Sequence, residues 1–349
     1  MNKIEVGILG ATGMVGQHFI KFLDGNPWFD LTWLGASERS AGKRYSEAAR
    51  WHLGGGPPEA VQGLKVEEAK PSSHAPKLLF SAMDASVATE IEQAFAQAGH
   101  IIVSNSRNHR MDRDVPLLVP EINPDHLKLI PGQQTSRGWK GQIVTNPNCS
   151  TIVLTMALAP LKQFGITRII ATTMQAVSGA GYPGVPSMDI LGNVVPYIGG
   201  EEEKMQQETQ KILGNFVGDH IEPLAAKVSA HCNRVAVVDG HTVTISVEFS
   251  ANPTEADLRN AFETFTSVPQ SRNLPSAPKN PVQYMTENDR PQPRKDAERD
   301  RGMATFVGRL RACPVFDWKF VALSHNTIRG AAGAAVLNAE LMRSEGLLD

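Results

Sequence analysis

Cysteine is scarce in this chain: Cys149, Cys232 and Cys313 are the only three among 349 residues. Three thiols cannot build a disulfide framework, so a reducing, cytoplasmic setting is expected. No run of about 18 apolar residues occurs, which excludes a membrane-spanning helix from the expectations. The first residues, Met1-Asn-Lys-Ile-Glu-Val-Gly-Ile-Leu9, enter a strand at once and lack the long apolar core of a signal peptide. An excess of positive charge is also missing. Lys plus Arg number 34 against 36 Asp plus Glu, a net charge of −2. That balance leaves no electrostatic footprint for nucleic acid. Internal repeats and low-complexity tracts are absent. What remains is 41% hydrophobic and 20% charged, the profile of a globular protein long enough for two domains.

The most informative segment is Thr145-Asn-Pro-Asn-Cys-Ser-Thr151. Residues 141–145 read as a buried strand and 151–163 as a helix apolar on most faces. Cys149 then lies at a helix N-terminus, where free N–H groups and the helix dipole favour an anion. A thiol so placed is expected to have a lowered pKa and to serve as a nucleophile. The same N–H groups suit an oxyanion. A lone Cys is more often structural, but the two Asn and the Pro at a strand-to-helix turn favour the functional reading.

The first half carries a second signal. Residues 3–9 read as a strand, Gly10-Ala-Thr-Gly-Met-Val-Gly16 follows, and 14–24 continue as a helix. This is a G-x-x-G-x-x-G form of the dinucleotide fingerprint in its strand–turn–helix context. A second strand around Leu31–Gly35 leads into Ala36-Ser-Glu-Arg-Ser-Ala-Gly-Lys43. An NAD site usually has an acid at that strand end. Here Ser37, Arg39 and Ser40 suit a 2′-phosphate, so NADP is expected; Glu38 is the complication, and a solvated loop is the alternative. Further βα units are expected from a strand at Lys77–Ser81, a helix at Val87–Ala98 and a strand at Ile101–Ser104. The two Arg and the His in Ser104–Arg110 suit an anion or a solvated basic loop.

The second half reads as α+β. Strand patterns occur at 166–176, 234–238 and 241–249, and helices fit 201–213 and 254–265. Ser178–Pro186 is a Gly/Pro-rich loop, and 270–298, rich in Pro, Asn and charge, is expected to wrap the surface. Asn326–Met342 reads as a small-residue helix that returns to the first domain. His241, after the Asp239-Gly240 turn, is the best acid/base candidate. Arg234 offers a fork for a carboxylate, although an Arg taken alone is more often an ion-pair partner. Glu201 and Lys204 sit one helical turn apart, on a functional or a solvated face.

Taken together, these residues resemble the aspartate-β-semialdehyde dehydrogenases of the archaeal and fungal branch. The resemblance runs through Gly10–Gly16, Ser37–Lys43, Asp114-Val-Pro-Leu-Leu-Val-Pro-Glu121, Asn146–Thr151, Met174–Gly181, Glu201-Glu-Glu-Lys204, Cys232-Asn-Arg-Val235, Asp239-Gly-His-Thr242 and His325–Gly333. It implies an α/β chain resembling glyceraldehyde-3-phosphate dehydrogenase. Residues 1–147, completed by 328–349, would form a Rossmann-type NADP-binding domain, and 148–327 a catalytic and dimerisation domain. It implies reductive dephosphorylation of L-4-aspartyl phosphate to L-aspartate 4-semialdehyde with NADPH, on the route to lysine, threonine and methionine. In that pattern Cys149 is the nucleophile and His241 the acid/base. Arg110, Asn148, Gln175, Glu201, Lys204 and Arg234 bind substrate: Arg234 grips its carboxylate, Glu201 meets its ammonium, and Lys204 and Arg110 serve phosphate. Gly10, Thr12, Gly13, Met14, Val15, Ser37, Arg39, Ser40, Ser81, Ser178, Gly179 and Asn326 bind the cofactor. No metal is implied, and a homodimer or homotetramer is. The run Ser104-Asn-Ser-Arg-Asn-His-Arg110 departs from the pattern and is similar to archaeal malonyl-CoA reductases, the alternative reading. A regulatory protein that has lost catalysis is a third, opposed by intact Cys149 and His241.

Overall fold

The computed structural model describes residues 2–348. Six strands near the N-terminus form one sheet: β1 (Ile4–Leu9), β2 (Phe29–Ala36), β3 (Val66–Glu68), β4 (Leu78–Ser81), β5 (Ile101–Ser104) and β6 (Gln142–Thr145). All neighbours are parallel, in the order β3-β2-β1-β4-β5-β6. A parallel sheet is covered on both faces, which is why its strands are near-continuous apolar runs. Side chains alternate between two cores. Ile8 and Phe80 join Phe19 and Leu23 on one side, while Leu9 and Leu79 join Trp33 and Phe95 on the other. Strand order reverses between β1 and β4, and the crevice there, at the carboxyl ends, is where such sheets bind ligands.

The last helix, Gly333–Ser344, returns to this sheet as expected: Val336, Leu337 and Leu341 share a core with Val6 and Phe19. The periodicity started that helix too early. A π-turn over Ile328–Ala332 precedes it and brings the backbone at Gly330 against Cys149.

The second sheet is mixed, in the order β10-β7-β11-β14-β13-β12. Its strands are β7 (Ile166–Gln175), β10 (Lys227–Arg234), β11 (His241–Phe249), β12 (Val282–Met285), β13 (Thr305–Ala312) and β14 (Trp318–Ser324). β8 (Asn215–Val217) and β9 (His220–Glu222) make a separate hairpin. In β7 and β11 alternate residues are buried. Their inward side chains, Ile169, Ala171, Val243 and Ile245, pack on Ile152, Val153 and Leu154 of the Cys149–Leu158 helix. Ser150–Leu158 are buried all round, which explains a helix without a polar face.

Two expectations are corrected. The strand expected at 234–238 instead ends at Arg234; β10 occupies 227–234, parallel to β7. Beyond it Val237 N–H turns back to Val235 C=O at 2.8 Å, and only scattered bonds tie the β-branched run to the end of β7, such as Val235 N–H to Gln175 C=O at 3.0 Å, so context overrides propensity. The helix expected at 151–163 is α-helical only over Cys149–Leu158, then tightens to 3₁₀ over Ala159–Phe164. Pro160 lacks an N–H and crowds the carbonyl four residues back. Within 270–298, β12 adds an edge strand parallel to β13.

Candidate active site

Cys149 opens its helix, and Asn148 is the N-cap. The Asn148 side-chain oxygen accepts from the N–H groups of Ser150 and Thr151 at 3.0 and 3.2 Å, satisfying two donors that the helix cannot. The Asn148 amide nitrogen donates to both Glu201 oxygens, at 3.0 and 2.8 Å. Cys149 Sγ lies 3.2 Å from His241 Nε2. His241, the first residue of β11, is fully buried. The Ala176 N–H donates to its Nδ1 at 3.1 Å, so the proton of the neutral ring sits on Nε2, facing the sulfur. Burial, reinforced by Arg234 and His325, takes the imidazole down to about 3.

The thiol departs from expectation. Its position at the helix N-terminus predicts a lowered pKa. Burial, with the Glu201 carboxylate adding to it, pushes Cys149 up to about 12, and Arg110, Arg234 and the Ser150 N–H only partly oppose the rise. The ligand-free pair is therefore a thiol beside a neutral imidazole, and the thiolate has to form as ligands bind.

The expected substrate residues converge. Lys204 Nζ pairs with Glu201 at 2.8 Å, and Gln175 reaches the same carboxylate at 3.4 Å. Arg234 Nη1 donates to Ala176 C=O at 2.7 Å. Gly179 is fixed in type by close approach: a β-carbon there would lie 2.9 Å from Arg234 Nη1 and 3.1 Å from His241 Nε2. Asn326 donates to the Ser178 hydroxyl and accepts from Gly240 N–H, both at 2.8 Å.

A cavity of about 210 Å³ lies between Cys149 and the start of the helix after the glycine turn, with Met14 and Val15 on one wall and Arg110, Asn148, Ser178, Gly179 and Asn326 on the others, whereas Gln175, Glu201, Lys204, Arg234 and His241 do not line it. The turn fits a dinucleotide. Gly10 has φ +78°, and a β-carbon at Gly16 would lie 2.4 Å from Gly10 O. At Gly13, the N-cap of the Met14–Leu23 helix, only Gly10 O is near, at 3.5 Å, and no side chain caps the helix. The start of this helix is thus left without a side-chain cap, which suits a pyrophosphate. Thr12 sits in the same turn. Ser37 and Arg39 are exposed and Ser40 half-buried, on the loop after β2. Arg39 makes no ion pair among the described residues.

Two expectations need correction here. Ser81 is buried and donates to Glu92 at 2.6 Å, so its hydroxyl is turned into the sheet–helix layer, away from the crevice. Of the basic trio after β5, only Arg110 lines the cavity; His109 pairs with Asp112 at 2.8 Å and Arg107 is exposed. The departure at 104–110 has a structural cause. Asn108 accepts from Ser106 and donates to Ala85 C=O and Thr89, pinning the loop to the Ala85–Ala98 helix.

Sequence reasoning missed Asn105, Ala176, Glu208, Thr327 and Gly330. The first, fourth and fifth line the cavity, Ala176 orients His241, and Glu208 holds Arg110 at 3.0 Å. One signal existed for Glu208: positions 201, 204 and 208 share a helical face.

A parallel dinucleotide sheet with a thiol–imidazole pair beside its glycine turn defines a nicotinamide-dependent dehydrogenase that works through an enzyme thiol. Residues 5–130 match the family model described as semialdehyde dehydrogenase, NAD binding domain, and 158–329 match semialdehyde dehydrogenase, dimerisation domain. The chain belongs to the aspartate-semialdehyde dehydrogenase family. It is 51% identical to the aspartate-semialdehyde dehydrogenase of Methanothermobacter thermautotrophicus over 97% of this chain and 99% of that one. It is 46% identical to that of Archaeoglobus fulgidus over 99% of this chain and all of the relative, a 100% share. The crystal structure of the Candida albicans enzyme with NADP superposes with TM-score 0.92 at 42% identity, covering 99% of this chain and 100% of that one.

Proposed function

We propose that this protein catalyses the NADPH-dependent reductive dephosphorylation of L-4-aspartyl phosphate to L-aspartate 4-semialdehyde. The observation that carries the reading is the Cys149–His241 contact of 3.2 Å beside a cavity that Cys149 shares with the start of the helix after the glycine turn. In this reading 1–147 with 328–349 hold the nucleotide and 148–327 carry the chemistry.

NADPH, held by Gly10, Thr12, Gly13, Met14 and Val15 with Ser37, Arg39 and Ser40 at its 2′-phosphate, supplies the hydride. Ser178, Gly179 and Asn326 flank its reactive end. Arg234 binds the substrate carboxylate, and Glu201, with Asn148 and Gln175 behind it, receives the ammonium. That ammonium offsets the Glu201 charge, which adds to burial in raising the Cys149 thiol. Substrate binding thereby favours the thiolate. Arg110 and Lys204 hold the phosphate; as sulfur bonds to the acyl carbon the C–O bond to phosphate breaks and the thiol proton departs with it as hydrogen phosphate, leaving a thioester on Cys149, and hydride and a proton added to that carbonyl would give a thiohemiacetal whose C–S bond breaks to release the aldehyde and the thiol. His241 donates from Nε2 to the acyl oxygen where negative charge develops. A buried carboxylate facing an Arg suits an amino acid better than a CoA thioester, so the malonyl-CoA reading is set aside.

No helix among the described residues is long and apolar enough to cross a membrane. The proposed setting is cytoplasmic, and the assembly a homodimer or homotetramer. Supporting the latter is the face of the second sheet away from its helix, where Ile170 is 40% exposed. The test is spectrophotometric: NADP reduction with aspartate semialdehyde plus phosphate, against NADPH oxidation with malonyl-CoA. Turnover of malonyl-CoA with none of the semialdehyde overturns the reading.

A further inference from the structure

We propose that Glu208 is a positioning residue, one buried carboxylate that sets the register between the anion-binding Arg110 and the helical turn bearing Cys149. The proposal rests on the reading above, in which phosphate is held at Arg110.

Glu208 is 2% exposed. One of its oxygens accepts from Arg110 Nη1 at 3.0 Å, the other from the backbone N–H of Asn148 at 2.7 Å. Asn148 is bonded directly to Cys149. A single rigid group therefore spans from the guanidinium to the residue before the nucleophile. A buried carboxylate is costly unless it is both paired and hydrogen-bonded; here each oxygen has its own donor.

Arg110 is clamped on a second side, its Nη2 donating to Asn105 C=O at 2.8 Å. Its Nε is buried without a partner, and Arg110 lines the Cys149 cavity. Two of the five N–H donors are thus held by protein, and Nε and the second N–H of each terminal nitrogen have no protein partner among the described residues. Formation of the thioester needs the acyl carbon and its leaving phosphate aligned with the sulfur, and small misplacements are costly. Glu208 ties the phosphate end of that line to the sulfur end.

Neither the loop nor the helix depends on Glu208 for its fold. Lys211, on the next turn, donates to the carbonyls of Arg110, Asp112 and Val115 at 2.8, 2.7 and 2.9 Å. The Cys149 helix keeps its Asn148 cap. Loss of Glu208 leaves the guanidinium held on one side only, by Asn105 C=O, while the Lys211 contacts to the loop and the Asn148 cap remain.

The test is steady-state kinetics of NADP reduction with aspartate semialdehyde and inorganic phosphate. Absence of phosphate-dependent turnover in the wild type sinks the functional reading itself. Given turnover, Glu208→Gln offers one acceptor where two are needed. It should lower kcat/KM for phosphate by about tenfold or more, with KM for NADP within about twofold. Glu208→Asp keeps the charge one methylene short, so it should recover only part of the loss. Combining Glu208→Gln with Arg110→Lys should cost little more than the worse single change, because the two residues act as a unit. Three results overturn the proposal: near-wild-type kinetics in both Glu208 variants, multiplicative losses in the double variant, or a common rise in all three KM values with lowered Tm. If Glu208→Gln does not fold, Glu208→Asp carries the same comparisons, and failure of both makes Glu208 a stability residue and also overturns it.

Discussion

Gly330 lies so close to Cys149 that a β-carbon at 330 would sit 2.7 Å from the Cys149 β-carbon and 3.1 Å from its α-carbon. The π-turn over Ile328–Ala332 thus backs the nucleophile with bare main chain. Gly330→Ala should push the thiol out of line with His241 and lower kcat by at least about tenfold. NADP affinity should hold, since Gly330 is outside the glycine turn. Titration of NADP by fluorescence alongside the kinetic assay checks both; an unchanged kcat removes the packing argument.

The covalent step makes a second demand. Cys149→Ser should fold normally, because the hydroxyl fills nearly the same space, yet lose several orders of magnitude in kcat. Residual activity above about a tenth of wild type would reassign the nucleophile. Mass spectrometry after mixing with acyl phosphate should find the acyl group on Cys149 in the wild type alone.

Cofactor choice depends on the exposed loop after β2. Arg39 makes no ion pair among the described residues, so its charge is available to a 2′-phosphate. Arg39→Ala should raise KM for NADP by roughly ten- to a hundredfold, the equivalent of about 1.5–3 kcal/mol. KM for NAD should barely move. Equal effects on both nucleotides would place Arg39 outside the phosphate site.

Acid should destabilise the fold through buried histidines. Burial takes His126 down to about 4, whereas an unfolded His titrates near about 6.5. Between those values the unfolded chain binds the extra proton, so stability falls as pH falls, by up to about 1.4 kcal/mol per unit. His18, taken to about 4, and His241, taken to about 3, act in the same direction. Glu92 and Glu340, raised by burial, offset part of the loss by taking up protons in the folded state. His126→Gln has no such proton to gain. Between pH 7 and pH 5 its urea midpoint should fall less than that of the wild type, by the equivalent of about 1–2 kcal/mol. Parallel falls would mean that His126 is solvated.

The amino-acid sequence by itself determined the nucleotide turn, the candidate nucleophile and most strands of the first sheet. Each is a local matter: glycine spacing after an apolar strand, an Asn-Cys-Ser step at a helix start, and periodicities of two or 3.6. It also placed Arg234 and His241 among the candidates, as residue types able to do the chemistry. Only the tertiary structure decided how they meet. The Cys149–His241 contact joins β11 to a helix on the other side of the core. The thiol pKa is raised first by burial among packed segments and then by Glu201, which approaches through space from a separate helix. Glu208 was hidden in a charged helical run because nothing in that spacing says that its face is buried. Ser81 was misjudged because its strand end points correctly to the crevice while its side chain, alternating by one residue, faces Glu92 instead. A sequence orders neighbours along the chain, whereas burial and charge coupling act between segments that only packing brings together.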